Sequence, residues 1–196
     1  MKKANSSLDK WKPVLIILAV VLVLGLIFGG IFNSLVSKDE AVNRAWADVE
    51  AQYQRRADLI PNLVSTVKGF ASQEKEVLTE VTEARTSWQN ADSEQEQISA
   101  ANEMDGALSR LLVTVEAYPE LKSNENFLAL QDQLEGTENR ISVARQRYNE
   151  AVRSYNTKVR SFPTNILAGM YGFETREMFE ADQGADDAPD VDSMLE

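Results

Sequence analysis

Between Pro13 and Ser37 the chain carries no charged residue for 25 consecutive positions. As a helix rising ~1.5 Å per residue, this run spans roughly 37 Å, enough to cross a ~30 Å hydrocarbon core with some tilt. Its apolar heart, Val14 to Phe32, never turns a polar face, unlike a helix at the edge of a soluble core. A cleaved signal peptide is the rival reading. Such a peptide usually has an apolar region of ~7–15 residues before an A-x-A-like site. Here the run is longer, and Gly29-Gly30-Ile31-Phe32-Asn33 is a poor match to that site. The expectation is a basic tail over 1–12 and an uncleaved transmembrane helix over 13–37.

Basic residues flank this segment unevenly. Lys2, Lys3, Lys10 and Lys12 precede it, while only Lys38, Arg44 and Arg55 follow within 18 positions. Because Lys and Arg accumulate on the cytoplasmic side, the bias favours a cytoplasmic N-terminus. The body then lies outside a bacterial inner membrane. Gly25 and Gly29 form a small-xxx-small spacing that lets membrane helices approach closely, a route to self-association.

The body follows a helical period. Val42, Trp46, Val49, Tyr53, Arg56, Ile60, Leu63, Val67, Phe70, Glu74, Val77, Val81, Ala84 and Trp88 are spaced alternately four and three apart. Only Arg56 and Glu74 break the apolar character of this bundle seam. Met104, Leu108, Leu111, Val115 and Tyr118 make a second series. Phe127, Leu130, Leu134, Thr137, Ile141, Ala144, Tyr148, Ala151 or Val152, Tyr155, Val159 and Phe162 make a third. No stretch alternates with period two, so no strand is expected. The body over 38–173 therefore reads as all-α.

Breaks divide the series. Ser93-Glu94-Gln95-Glu96 fits a capping box that starts a helix. Pro119 ends that helix, Lys122-Ser123-Asn124 supplies a turn and a cap, and Pro163 stops the last long helix. Pro61 is ambiguous. The seam passes it in phase, yet Pro disfavours helical geometry at Ile60 and removes a hydrogen bond. Segment lengths favour a turn, giving helices at 38–59, 61–88, 93–118 and 124–162 in an antiparallel up-and-down four-helix bundle. A three-helix version with one long, kinked helix through Pro61 is the alternative.

Composition removes much chemistry. With no Cys and no His, disulfides, thiol nucleophiles, Cys/His zinc sites, Ser-His-Asp triads and histidine proton shuttles are excluded. Di-metal carboxylate bundles need Glu-x-x-His, so no metal or other cofactor is expected. The formal net charge of −11 disfavours nucleic acid as a partner. Residues 174–196 hold nine acids against Arg176 alone and read as an acidic, disordered tail. Weak calcium binding by Asp182, Asp186, Asp187, Asp190 and Asp192 is a lesser alternative there.

Few residues invite a functional reading. Ser7/Lys10, Ser65/Lys68 and Ser72/Lys75 fit S-x-x-K, but without partner motifs three hits read as chance. Arg55-Arg56-Ala57-Asp58 is more informative, because Arg56 falls on the seam and a buried charge needs a partner. Glu74 or the cluster of Glu135, Glu138, Arg140 and Arg145 can supply partners, and Arg85 is a further candidate for structural or partner contacts. Asn62 can cap a helix starting after Pro61. Gly136 costs about 1 kcal/mol relative to Ala inside a helix, so close approach of a neighbouring helix is expected there.

Residues 53–88, YQRRADLIPNLVSTVKGFASQEKEVLTEVTEARTSW, are followed by LSRLLVTVEAYPELKSNENFLALQDQLEGTENRISVARQRYNEAVRSYN and by FPTNILAGMYGF. With Ala45-Trp46 and the preceding apolar segment, this pattern resembles the LemA family from about residue 14 to 173. The resemblance implies a membrane-anchored antiparallel helical bundle and no particular reaction. By gene association in the family, it points to membrane metallopeptidases and TPM-domain proteins as companions. It does not fix the orientation. The expected function is a non-enzymatic, single-pass membrane scaffold or interaction module. The alternative is a sensor that passes a helix shift to a separate partner.

Overall fold

The computed structural model describes residues 6–179. Six helices account for most of them: α1 (Ser6–Phe70), α2 (Lys75–Asn90), α3 (Glu94–Val115), α4 (Pro119–Lys122), α5 (Glu125–Arg160) and α6 (Thr164–Tyr171). Among the described residues there is no strand. The chain is all-α, as its periodicity predicts, and among the described residues α1 contains the one helix stretch long and apolar enough to cross a membrane, with mean hydropathy 3.2.

The expected breaks near 90, 119 and 163 fall within about three residues of observed helix ends, although α3 stops at Val115 before Pro119 and α1 runs unbroken through residue 38. At Pro61 the structure corrects the preferred reading. Pro61 lies inside α1, which continues to Phe70, and the turn falls at residues 71–74. The seam records this. Arg56, Ile60, Leu63 and Val67 are buried in unbroken phase across Pro61. Around the turn the phase slips by one, with Phe70 exposed, Ala71 buried and Leu78 in place of Val77 at the core, before Val81, Ala84 and Trp88 are buried as expected. The kinked three-helix alternative also fails, because the chain still turns before α2. Four long helices remain, with α1 ending eleven residues later than expected.

Other boundaries follow from local chemistry. The Ser93 hydroxyl accepts the Glu96 N–H at 3.2 Å, and the Glu96 carboxylate accepts the Asp92 N–H at 3.0 Å, so both donors at the start of α3 are satisfied. Pro119 opens the short α4, and Asn124 Oδ1 caps α5 by accepting the Phe127 N–H at 3.1 Å. The left-handed Gly172 (φ 74°) ends α6.

The described chain divides into two compact units. One comprises the residues up to Arg44 together with Ala151–Arg176; the other comprises Ala45–Glu150 and the chain from Glu177 onward. The second unit is the four-helix bundle. Within it Trp46 meets Tyr148 and Arg56 meets Glu138, while Glu80 meets Arg110 and Glu74 meets Tyr118. Rising numbers on one helix pair with falling numbers on its neighbour, the signature of antiparallel packing.

The packed chain also extends further than expected. Residues 174–179, assigned to an acidic tail by sequence, are held in place. In the first unit Asn156 clamps the Arg176 peptide through both its N–H and C=O, at 2.9 and 2.8 Å, and the Arg176 side chain pairs with Asp39 at 2.9 Å. In the second unit Asn149 clamps the Phe179 peptide in the same two-bond way, each bond 2.9 Å. Residues 180–196, with the aspartates considered for calcium, lie outside the described residues.

Candidate functional site

The bundle unit carries a charged layer across its interior. Arg56 reaches it from α1, Asp105 from α3, and Glu138 and Arg145 from α5; Tyr53 stands one helical turn before Arg56. The Arg56 side chain is only 4% exposed, and its two terminal nitrogens pair with Asp105 and Glu138. Asp105 uses its other oxygen to accept from Arg145 at 2.7 Å and from the Tyr53 hydroxyl at 3.0 Å. Arg145 also donates to the Tyr53 oxygen and to Asn102 Oδ1, the latter at 3.0 Å. Two cations thus meet two carboxylates, and three helices are tied at one level.

Rings complete what hydrogen bonds leave open. The Nε atoms of Arg56 and Arg145 are buried without a hydrogen-bond partner. The guanidinium planes instead lie over aromatic faces: Arg145 is 4.6 Å from the Phe179 ring centroid and 5.4 Å from Tyr53, and Arg56 is 5.8 Å from Tyr53. Phe179 is itself stacked on Trp46 at 6.0 Å and on Tyr53 at 6.5 Å, with Tyr148 edge-on at 5.7 Å. The Tyr148 hydroxyl lies against the Glu94 carboxylate and 2.9 Å from the Glu177 carbonyl oxygen. Burial first, and the Asp105 charge second, push the Tyr53 phenol far above its ordinary range, so it stays a neutral donor.

The sequence-predicted residues separate under this geometry. Arg56, Glu138 and Arg145 come together as partners, but Glu74 does not join them; its carboxylate accepts the Tyr118 hydroxyl at 2.6 Å. Arg55 and Asp58 are exposed, and Asp58 accepts from Gln54 one turn away. Asn62 caps nothing, since no helix starts there; its carbonyl oxygen accepts the Thr66 hydroxyl. Arg140 is exposed and lines a shallow groove of about 440 Å³ with Asp48, Gln52 and Arg147. A Cβ added at Gly136 meets nothing within 4 Å, which overturns the expected close approach. Gly25 and Gly29 are likewise unfilled by the chain's own atoms.

Arg85 has a specific role that explains Pro61. Proline has no N–H to give to the carbonyl one turn earlier, that of Ala57. Arg85 reaches across from α2 and donates Nε to the Ala57 oxygen at 2.9 Å. The orphaned acceptor is satisfied from outside, and α1 continues.

Sequence reasoning missed Asp105, the residue that joins the two arginines. A signal was present: Asp105 stands four after Ala101 and three before Leu108, both buried, so it lies at the helix's core edge. It also missed Phe179 with its Asn149 clamp, and the Asn156 clamp on Arg176.

Grooves near these groups are modest. One of about 230 Å³ beside the charged layer is lined by Arg56, Asp105, Glu138 and leucines of α3 and α5. Lys68, Ser72 and Lys75 line another, of about 370 Å³. Among the described residues no cluster of three acidic residues is placed to hold a metal ion.

Known proteins share this chain's pattern. A LemA family model matches residues 45–192. Magnetosome proteins MamQ 1 and MamQ 2 of Paramagnetospirillum magneticum are each 26% identical over 190 residues, covering 84% of this chain and 70% of theirs. Protein LemA of Metamycoplasma hominis is 21% identical over 183 residues, covering 93% of this chain and 84% of its own. With the family match spanning most of its length and nearly the whole bundle, the chain belongs to the LemA family.

Proposed function

We propose that the chain is a non-enzymatic, single-pass membrane protein whose bundle serves as a scaffold or interaction module. One observation carries this reading. The ionisable side chains of the bundle layer, Arg56, Asp105, Glu138 and Arg145, are paired with one another and with Tyr53, even where Arg56, Asp105 and Glu138 border a groove of about 230 Å³. Buried ion pairs of this kind are best attested as devices that set register. The apolar stretch of α1 supports anchoring in a membrane, and the lysine bias supports a cytoplasmic N-terminus with the bundle outside. The names of the relatives denote no reaction: two are magnetosome proteins and one is Protein LemA. A second copy, through Gly25 and Gly29, or a membrane protease or TPM-domain protein is the proposed kind of partner, alongside the bilayer.

A sensor is the second reading. It is favoured by the unbroken α1, Ser6–Phe70, which gives a displaced bundle a helix to push on.

The test is photo-crosslinking in native membranes from exposed bundle positions such as Val113 and Arg140. A discrete protein adduct, lost on reversing the charge at Arg140, is expected. Recovery of monomer and lipid adducts alone would overturn the scaffold reading. Protease treatment of spheroplasts checks the topology: the bundle should be digested, and its protection would reverse the orientation.

A further inference from the structure

The unit that contains the apolar segment of α1 also shows an apolar surface that its own packing does not use. From Ser161 to Phe173 the chain has no charged residue. Phe162, Ile166, Met170 and Tyr171 are 81, 53, 73 and 62% exposed, while Thr164, Leu167 and Ala168 face inward. Within α6, Ile166 and Met170 stand four apart on one side of the helix, with Tyr171 next to Met170, and Phe162 lies just before the helix start. Apolar residues gathered like this on a surface mark a contact site.

Position identifies what covers them. The rings of Tyr171 and Phe173 lie 5.0 and 6.1 Å from the ring of Phe32 on α1. Lys12 is the last charge before the apolar run, and Phe32 stands 20 residues after it. At ~1.5 Å per residue that separation is about 30 Å, the thickness of a hydrocarbon core. Residues 11–30 are exposed throughout, whereas three residues past Phe32, Leu35 is fully buried by protein. The helix thus sets its own depth scale: its exposed apolar part matches the bilayer, and α6 stands where that part ends. Tyrosine and other amphipathic rings favour this level of a membrane.

We infer that α6 is an interfacial foot, with Phe162, Ile166, Met170 and Tyr171 inserted at the headgroup boundary of the leaflet where the α1 span ends. The occupant is the bilayer itself. The inference rests on reading α1 as a membrane span, so the experiment reports on both. The chain has no cysteine, and each single-cysteine variant therefore takes one label. Ile166→Cys, Met170→Cys, Leu22→Cys in the span and Val113→Cys on the bundle would carry the fluorophore NBD. The full chain is reconstituted in phosphatidylcholine–phosphatidylglycerol vesicles, with and without lipids bearing a nitroxide quencher near the headgroup or deep in the tail.

The labels at Ile166 and Met170 should lose most of their emission to the shallow quencher, and the label at Leu22 to the deep one. The label at Val113 should lose none. Quenching at Leu22 but not at Ile166 and Met170 overturns the foot and leaves the anchor intact. No quenching at Leu22 overturns both. Blue-shifted labels at Ile166 and Met170 that lipid-borne nitroxide does not quench would assign the face to a protein neighbour, and also overturn the inference. All four positions are exposed, and circular dichroism confirms that each variant is helical.

Discussion

Two stretches of the bundle unit face the same difficulty and meet it differently. Around Pro61, α1 contains a residue that removes a helix hydrogen bond; around Gly136, α5 contains one that costs backbone entropy. Both lie within five positions of a charge in the buried layer, Arg56 and Glu138. At Pro61 the loss is offset from outside, because Arg85 donates to the freed Ala57 oxygen. At Gly136 nothing approaches, and the cost stands. A proline defect leaves a definite atom unsatisfied, which a neighbouring helix can answer. A glycine defect leaves no such atom.

The largest effect that tests this comparison is expected at Arg56, the residue that ties the α1 stretch to the other helices. Arg56→Met removes the partner of Asp105 and Glu138. Breaking a fully buried pair costs about 3–5 kcal/mol. The Glu138 side chain is 58% exposed and Asp105 keeps Arg145, so the lower end applies. We expect a loss of about 3 kcal/mol in denaturant unfolding of the detergent-solubilised chain. An unchanged midpoint would mean that the layer contributes no stability.

The next effect is smaller and more diagnostic. Arg85→Leu should cost about 1.5 kcal/mol, the price of leaving the Ala57 carbonyl without a donor. Pro61→Ala restores an N–H that the carbonyl can use within α1. In that background the same Arg85→Leu should cost much less, giving a coupling of about 1 kcal/mol in the double-mutant cycle. Additive effects would sink the explanation of how α1 passes its proline.

How much of this was legible in the chain depends on where each answer lies in sequence. The seam of α1 was readable because its period needs only neighbouring residues, and it passed Pro61 in phase for the simple reason that the helix is continuous. The true break at 71–74 has no proline; its trace is a one-residue slip that an assumed 4-3 pattern through Phe70 and Val77 conceals. Arg56 could be recognised as needing a partner. The partner could not be chosen, because Glu74, Glu138 and Asp105 are all compatible until the helices are placed. Phe179 was hidden by composition, lying among acids that read as solvated. The trace in sequence is the seven-residue spacing of Asn149 and Asn156, which puts two amides on one helix face to hold the Phe179 and Arg176 peptides.

Gly136 gives the smallest effect, and one of opposite sign. Its φ is not in the left-handed region and an added Cβ meets open space, so alanine is permitted on both counts. Relative to glycine, alanine in a helix interior restricts the unfolded chain and favours the helix by about 1 kcal/mol. Gly136→Ala should therefore stabilise the protein by roughly 0.5–1 kcal/mol, and Gly136→Leu should be tolerated. A destabilised alanine variant would show a neighbour closing on α5 at this point, as the sequence alone suggests, and would erase the contrast with Pro61. A stabilised one would mean that packing within the chain is not why α5 keeps a glycine beside its buried Thr137 and the ion pair at Glu138.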